Sequence, residues 1–126
     1  MRARRLFAAL AALGLASSAA TAGEADVLEV EVTREAGGTY RFDVTVAHAD
    51  EGWDHYADRF EVLGPDGALL GTRTLLHPHE NEQPFTRSLT GVVVPPGLGR
   101  VRVRAHDSVH DYGGAELDVP LPSEES

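Results

Sequence analysis

The chain of 126 residues is long enough for one small domain, and its composition excludes several kinds of chemistry. It contains no cysteine, which rules out disulfides, thiolate metal sites and a cysteine nucleophile. It contains no lysine either, which rules out Schiff-base chemistry and a P-loop. The formal net charge of −9 argues against nucleic acid or an anionic membrane surface as a partner.

The first 22 residues have the features of a secretory signal peptide, so we expect residues 23–126 to form the functional domain. Arg2, Arg4 and Arg5 precede a short apolar run, which is followed by small residues. Because the apolar run is too short to cross a bilayer comfortably, we expect no membrane span in the mature chain. These features predict a periplasmic or secreted protein.

From residue 26 onward, short runs of alternating apolar and polar residues are separated by turn signals. This period of two predicts strands rather than helices. The predicted strands are residues 26–34, 40–48, 59–63, 68–77, 85–94, 100–106 and 116–121. About seven short strands at this spacing favour an all-β, immunoglobulin-like antiparallel sandwich.

The connections between the predicted strands fall into two chemically different groups. In an up-and-down path, three short Gly/Pro turns lie at one end of the sandwich, and the loops at 50–58, 78–84 and 107–114 lie at the other. All six histidines lie in or beside these three loops. We call this end the histidine pole. Because loops at one end of a rigid sandwich often carry function, we expect a site there.

The histidine pole predicts a metal site, since neutral imidazole is the commonest protein ligand for zinc, copper and non-haem iron. His77 and His79 flank Pro78 in an extended segment, so both rings point to one side. The candidate ligands are His48, His55, His77, His79, His106 and His110. Because the mature chain lacks Cys and Met, we expect zinc, Cu(II) or Fe(II), in a structural or carrier role rather than a catalytic one.

Acidic and aromatic residues at the same pole support this hypothesis or an alternative to it. They are Asp54, Asp107, Asp111, Trp53, Tyr56 and Tyr112. The carboxylates could supply an oxygen ligand or orient an imidazole. The aromatic rings could instead form a rim that stacks on a sugar or receives an envelope protein. A third interpretation is purely structural, with hydrogen-bonded loop histidines and aromatic residues that plug the end of the sandwich.

Three segments resemble a small exported proteobacterial family of unassigned function. They are GWDHYAD from Gly52, HPHENEQPFTRSL from His77 and RAHDSVHDYGG from Arg104. The resemblance covers nearly the whole chain after residue 22. It implies a secreted domain and gives no activity.

A second, partial resemblance is to the iron site of superoxide reductases, the desulfoferrodoxin-type domains. It rests on His48 and His55, and on His106, Asp107 and His110 near the end of the chain. Those proteins are immunoglobulin-like sandwiches whose iron is held by four histidines and one cysteine. Here the first spacing is one residue longer, and Asp107 stands where the cysteine would align. The resemblance implies an architecture able to hold a metal, with a redox metalloprotein as a further alternative.

Overall fold

A computed structural model describes residues 24–50, 52–79 and 81–122, and the expected signal peptide lies outside them. Within these residues the chain forms seven strands. They are β1 (Asp26–Arg34), β2 (Tyr40–Ala47), β3 (Ala57–Leu63), β4 (Leu69–Thr74), β5 (Phe85–Val92), β6 (Arg100–Asp107) and β7 (Leu117–Pro120).

The strands pair into two antiparallel sheets, one in the order β1-β2-β5 and one in the order β4-β3-β6-β7. The predicted all-β, immunoglobulin-like sandwich is therefore confirmed. The chain passes between the sheets after β2, β4 and β5, because these strands and their successors lie in different sheets. No helix in the described part of the chain is long and apolar enough to cross a membrane.

The core between the sheets follows from the alternation in the sequence. In β2, Phe42, Val44 and Val46 are fully buried, while their neighbours are not. Phe60 belongs to the opposite sheet and Phe85 to the same sheet, and both are also buried in this core. Apolar area removed from water is the main force that holds the sheets together, at about 25 cal/mol per Å².

The strands next to the histidine pole differ from their predicted limits in a way that matters for the site. β3 begins two residues earlier than predicted and β6 ends one residue later, so Ala57 pairs with Asp107. Asp107 was expected in a loop and instead closes β6. The physical reason is cross-strand pairing, since β3 supplies a partner for Asp107 that local alternation does not reveal.

Candidate metal centre

A tight loop at the end of β6 positions Asp107 and His110. The N–H of Asp107 donates to the carbonyl of Asp111 (2.9 Å), and the N–H of Asp111 donates to the carbonyl of Asp107 (3.1 Å). Asp111 has a φ of 61°, a left-handed conformation that aspartate tolerates. Oδ1 of Asp107 accepts the N–H groups of Val109 (2.7 Å) and His110 (2.6 Å). One carboxylate oxygen is thus used within the loop, and Oδ2 remains for other partners.

Three imidazoles surround Oδ2 of Asp107. It lies 3.1 Å from Nε2 of His48, 3.2 Å from Nδ1 of His110 and 3.5 Å from Nε2 of His55. The ring of His55 stands between the other two, with centroid distances of 4.8 and 4.9 Å. The side chains of His48 and Asp107 are fully buried, whereas His110 is 40% exposed. We call these four residues the inner cluster.

The inner cluster has a geometry that could hold a metal ion. His48, His55 and Asp107 each offer one ligand atom, and these atoms lie within 4.8 Å of one another. Since zinc–nitrogen bonds are ~2.0–2.1 Å long, small side-chain movements would bring all three onto one ion. His110 contacts the same carboxylate oxygen at 3.2 Å, from outside this three-residue group. Imidazole and carboxylate together suit borderline divalent ions.

Asp50 fixes the ring of His48 from the side opposite Asp107. Its Oδ1 lies 2.5 Å from Nδ1 of His48 and accepts the N–H of Ala57 at 3.1 Å. With its proton on Nδ1, the neutral His48 ring turns the lone pair of Nε2 toward Asp107. Two acceptors then face each other, so a second proton or a cation must lie between them. A carboxylate on the far nitrogen is the arrangement typical of a metal-binding histidine.

Sequence reasoning missed Asp50, although a signal was present. The inward alternation of β2 through Val46 and His48 extends by one more step to residue 50. Asp50 is 9% exposed, and its side chain is fully buried.

The charge state of two residues in this region follows from their surroundings. Burial opposes ionisation of Asp107, but the N–H groups of His110 and Val109, with the nearby His48, outweigh it and lower its pKa. Burial also lowers the pKa of His79, and the nearby positive charge of Arg87 adds to this effect. Both shifts favour metal binding, which requires an ionised carboxylate and a neutral imidazole.

The structure does not bring His106 into the inner cluster. Val103, Ala105 and Asp107 alternate inward along β6, so His106 lies on the outer face of the sheet. Its Nδ1 is 2.6 Å from Oδ1 of Asp58, and its Nε2 is 3.2 Å from Oδ1 of Asp111. Both ring nitrogens therefore already have carboxylate partners. The sequence already indicated this direction, because Arg100, Arg102 and Arg104 occupy the alternate, outward positions of β6 and residue 106 continues that series.

Tyr112 also lies on the outer face rather than at the rim. Its hydroxyl donates to Oε2 of Glu61 and accepts from Nη2 of Arg59, both at 2.9 Å. Glu61 accepts from Arg59 and Arg104 as well, each at 2.9 Å. Burial raises the pKa of Glu61, but its bonds to Arg59, Tyr112 and Arg104 outweigh this effect and lower it.

Three other predicted residues, His77, His79 and Trp53, border a separate depression. Its volume is about 620 Å³, and it is lined by Gly52, Trp53, His77, Pro78, His79, Asn81 and Glu82. Trp53 is 65% exposed and meets the ring of Tyr56 edge-on, with centroids 5.5 Å apart. Asp54 is exposed beside it. The structure thus divides the histidine pole into the inner cluster, this depression and the outer-face position of His106.

Comparisons with known proteins give one relative. A protein of Halomicrobium mukohataei named "Putative lipoprotein" is 44% identical over 100 residues, which are 79% of this chain and 49% of the relative. The chain therefore spans about half the length of the curated relative it matches. No family model and no solved structure matches the chain. The resemblances to a proteobacterial family and to superoxide reductases stay predictions.

The Glu61 contacts generate a prediction about pH. Because folding lowers the pKa of Glu61, its charged form stabilises the fold above the ordinary pKa of ~4.3, and this contribution is lost as the pH falls through the folded pKa. Glu61→Gln should lower the free energy of unfolding by about 2 kcal/mol at pH 7. Urea unfolding at several pH values should show this difference narrowing toward acid. Glu29→Gln, at an exposed position, is the control, and a difference that does not change with pH would contradict the prediction.

Proposed function

We propose that this protein binds a divalent transition metal, namely zinc, Cu(II) or Fe(II), through the inner cluster, in a structural or carrier role. The observation that carries the proposal is the convergence of three imidazole nitrogens on one carboxylate oxygen, at 3.1 to 3.5 Å. The four residues come from the end of β6 and from two loops, β2–β3 and β6–β7. One ion would therefore join three parts of the chain.

The contacts to Oδ2 of Asp107 are compatible with an ion among these atoms. Charge-assisted hydrogen bonds between nitrogen and a carboxylate are usually ~2.7–2.9 Å long. The three contacts to Oδ2 of Asp107 are all longer, whereas the His48–Asp50 contact is 2.5 Å. The contacts from His48 (3.1 Å) and His110 (3.2 Å) are hydrogen bonds of ordinary length, and the shorter contact to Asp50 holds the ring of His48 from its other side. An ion among these atoms would satisfy them together.

A bound metal would also stabilise the fold. Small domains with limited cores commonly gain stability from disulfides or a structural metal. This chain has no cysteine and cannot form a disulfide, so of these two devices only a structural metal could stabilise it. The open side at His110, which is 40% exposed, leaves a route by which an ion could enter or leave.

We further propose that the protein is exported, to the periplasm or beyond. Support comes from the signal-peptide features of the first 22 residues and from the name of the relative, a "Putative lipoprotein". The redox alternative draws on the resemblance to superoxide reductases, whose layout assigns the same positions 48, 55, 107 and 110. Since a carboxylate replaces the thiolate at position 107, the carrier or structural role is the one we favour.

The inner cluster should lose its metal when its ligands are removed. Asp107→Asn and His55→Ala are each expected to weaken Zn²⁺ affinity by more than about 100-fold, because each removes a direct ligand and even indirect supports are worth ~10–100-fold. Isothermal titration of the metal-free protein measures this, with circular dichroism to show that the variants fold. His106→Ala is the matched control, because that imidazole lies outside the cluster. Unchanged affinity in His55→Ala would contradict the proposal.

Asp50 should tune affinity without binding the ion. Asp50→Asn removes the charged acceptor of the His48 proton, so a loss of ~10–100-fold in Zn²⁺ affinity is expected. Asp54→Asn, an exposed change in the same loop, should have no effect. Equal affinities in the two variants would show that Asp50 does not orient His48.

The exposure of Trp53 favours a second candidate function, in which the rim binds a carbohydrate or an envelope protein. A tryptophan that is 65% exposed beside a depression is a typical stacking surface. If this candidate is right, oligosaccharides or envelope extracts should shift the emission of Trp53, the single tryptophan, and Trp53→Ala should abolish capture. If no ligand shifts the emission of Trp53, the rim-binding function is refuted and metal binding is the remaining candidate.

A further inference from the structure

We propose that His77 and His79 form a second divalent-metal site, separate from the inner cluster and open to solvent at the depression beside Trp53. We call these two histidines the outer pair. Their ring centroids are 4.9 Å apart, and both residues line the depression. The inner cluster is closed on the side of His48. The outer pair lies at the open depression, so an ion bound there would exchange readily with solvent.

Hydrogen bonding decides which nitrogen each ring of the outer pair presents. Nδ1 of His77 lies 3.2 Å from the carbonyl oxygen of Pro78. Since a carbonyl only accepts, Nδ1 carries the proton, and Nε2 keeps its lone pair. His77 therefore offers Nε2 as a ligand atom.

His79 presents its ring in a similar way. Its Nδ1 is buried and has no hydrogen-bond partner among the described residues. The nearby carboxylate oxygen is Oδ2 of Asp50, at 3.9 Å. The negative charge favours the proton on Nδ1, which leaves the lone pair on Nε2. A buried nitrogen without a partner is costly in a purely structural histidine. A metal on Nε2 would draw Nδ1–H toward Asp50, as in other metal-bound histidines.

The outer pair combines one fixed ring with one adjustable ring. His79 stacks on Phe85 with a centroid distance of 4.0 Å and an interplanar angle of 12°. Its N–H donates to Oδ2 of Asp50 (2.5 Å), and its carbonyl accepts from Nε2 of Gln83 (2.8 Å). His77 is exposed and can change rotamer. His77 can therefore close on an ion that His79 already holds.

The surroundings set the expected strength of this site. Glu82 lines the depression and adds negative charge, although Arg87 holds its carboxylate at 3.0 Å. With two imidazoles from the protein, water would complete the coordination. We therefore expect weaker binding than at the inner cluster. Asp50 supports both sites, because Oδ1 contacts His48 and Oδ2 contacts His79.

Trp53 supplies a reporter for the experiment, because it is the single tryptophan of the chain and lines the same depression. Cu²⁺ is titrated into the Asp107→Asn variant, whose inner cluster lacks its carboxylate ligand. Quenching of Trp53 emission should saturate at one equivalent. Adding His77→Ala should weaken the apparent Cu²⁺ affinity by at least about tenfold, since one of two imidazole ligands is lost. Adding His106→Ala instead should leave it unchanged.

Equilibrium dialysis of the otherwise unaltered chain with Zn²⁺ gives a second measurement that does not depend on Asp107→Asn folding. Two equivalents are expected for the parent chain and one for His77→Ala, whose exposed position tolerates the change. Uptake of one equivalent by both proteins, or unchanged quenching in the His77→Ala variant, would overturn the outer pair. If His77→Ala loses an equivalent while Asp107→Asn keeps two, the outer pair stands and the inner cluster is refuted.

Discussion

The histidine pole depends on the hydrogen bonds of one ionised carboxylate, that of Asp107, which is completely buried at the end of β6. A buried charge is costly unless it is paired and hydrogen-bonded. Two backbone N–H groups of its own loop satisfy Oδ1, and imidazoles from two loops meet Oδ2. Breaking such an arrangement from one side would leave the charge uncompensated. The loops are therefore held together by a local electrostatic requirement as well as by the core.

A second carboxylate, that of Asp50, organises the layer behind the inner cluster. It contacts the ring of His48 with one oxygen and the N–H of His79 with the other. The closed site and the open depression thus share one support.

The aspartate at position 107 also shapes which metal the inner cluster would prefer. A carboxylate is a harder ligand than a thiolate, and hard and borderline ligands select against Cu(I). The chain offers no sulfur ligand after its first residue. The thiolate that holds iron in superoxide reductases therefore has no counterpart among these residues, although they could hold a metal ion.

The sequence by itself determined the seven strands, the gathering of the histidines at one end and the inward direction of His48. These features depend on alternation with a period of two, which is local. Only the tertiary structure decided that Asp107 belongs to β6, that Asp50 supports His48 and that His106 turns away. Those outcomes depend on contacts between distant residues, such as the 59 positions that separate His48 from Asp107. Cross-strand register and loop closure set such contacts, and neither can be read from neighbouring residues.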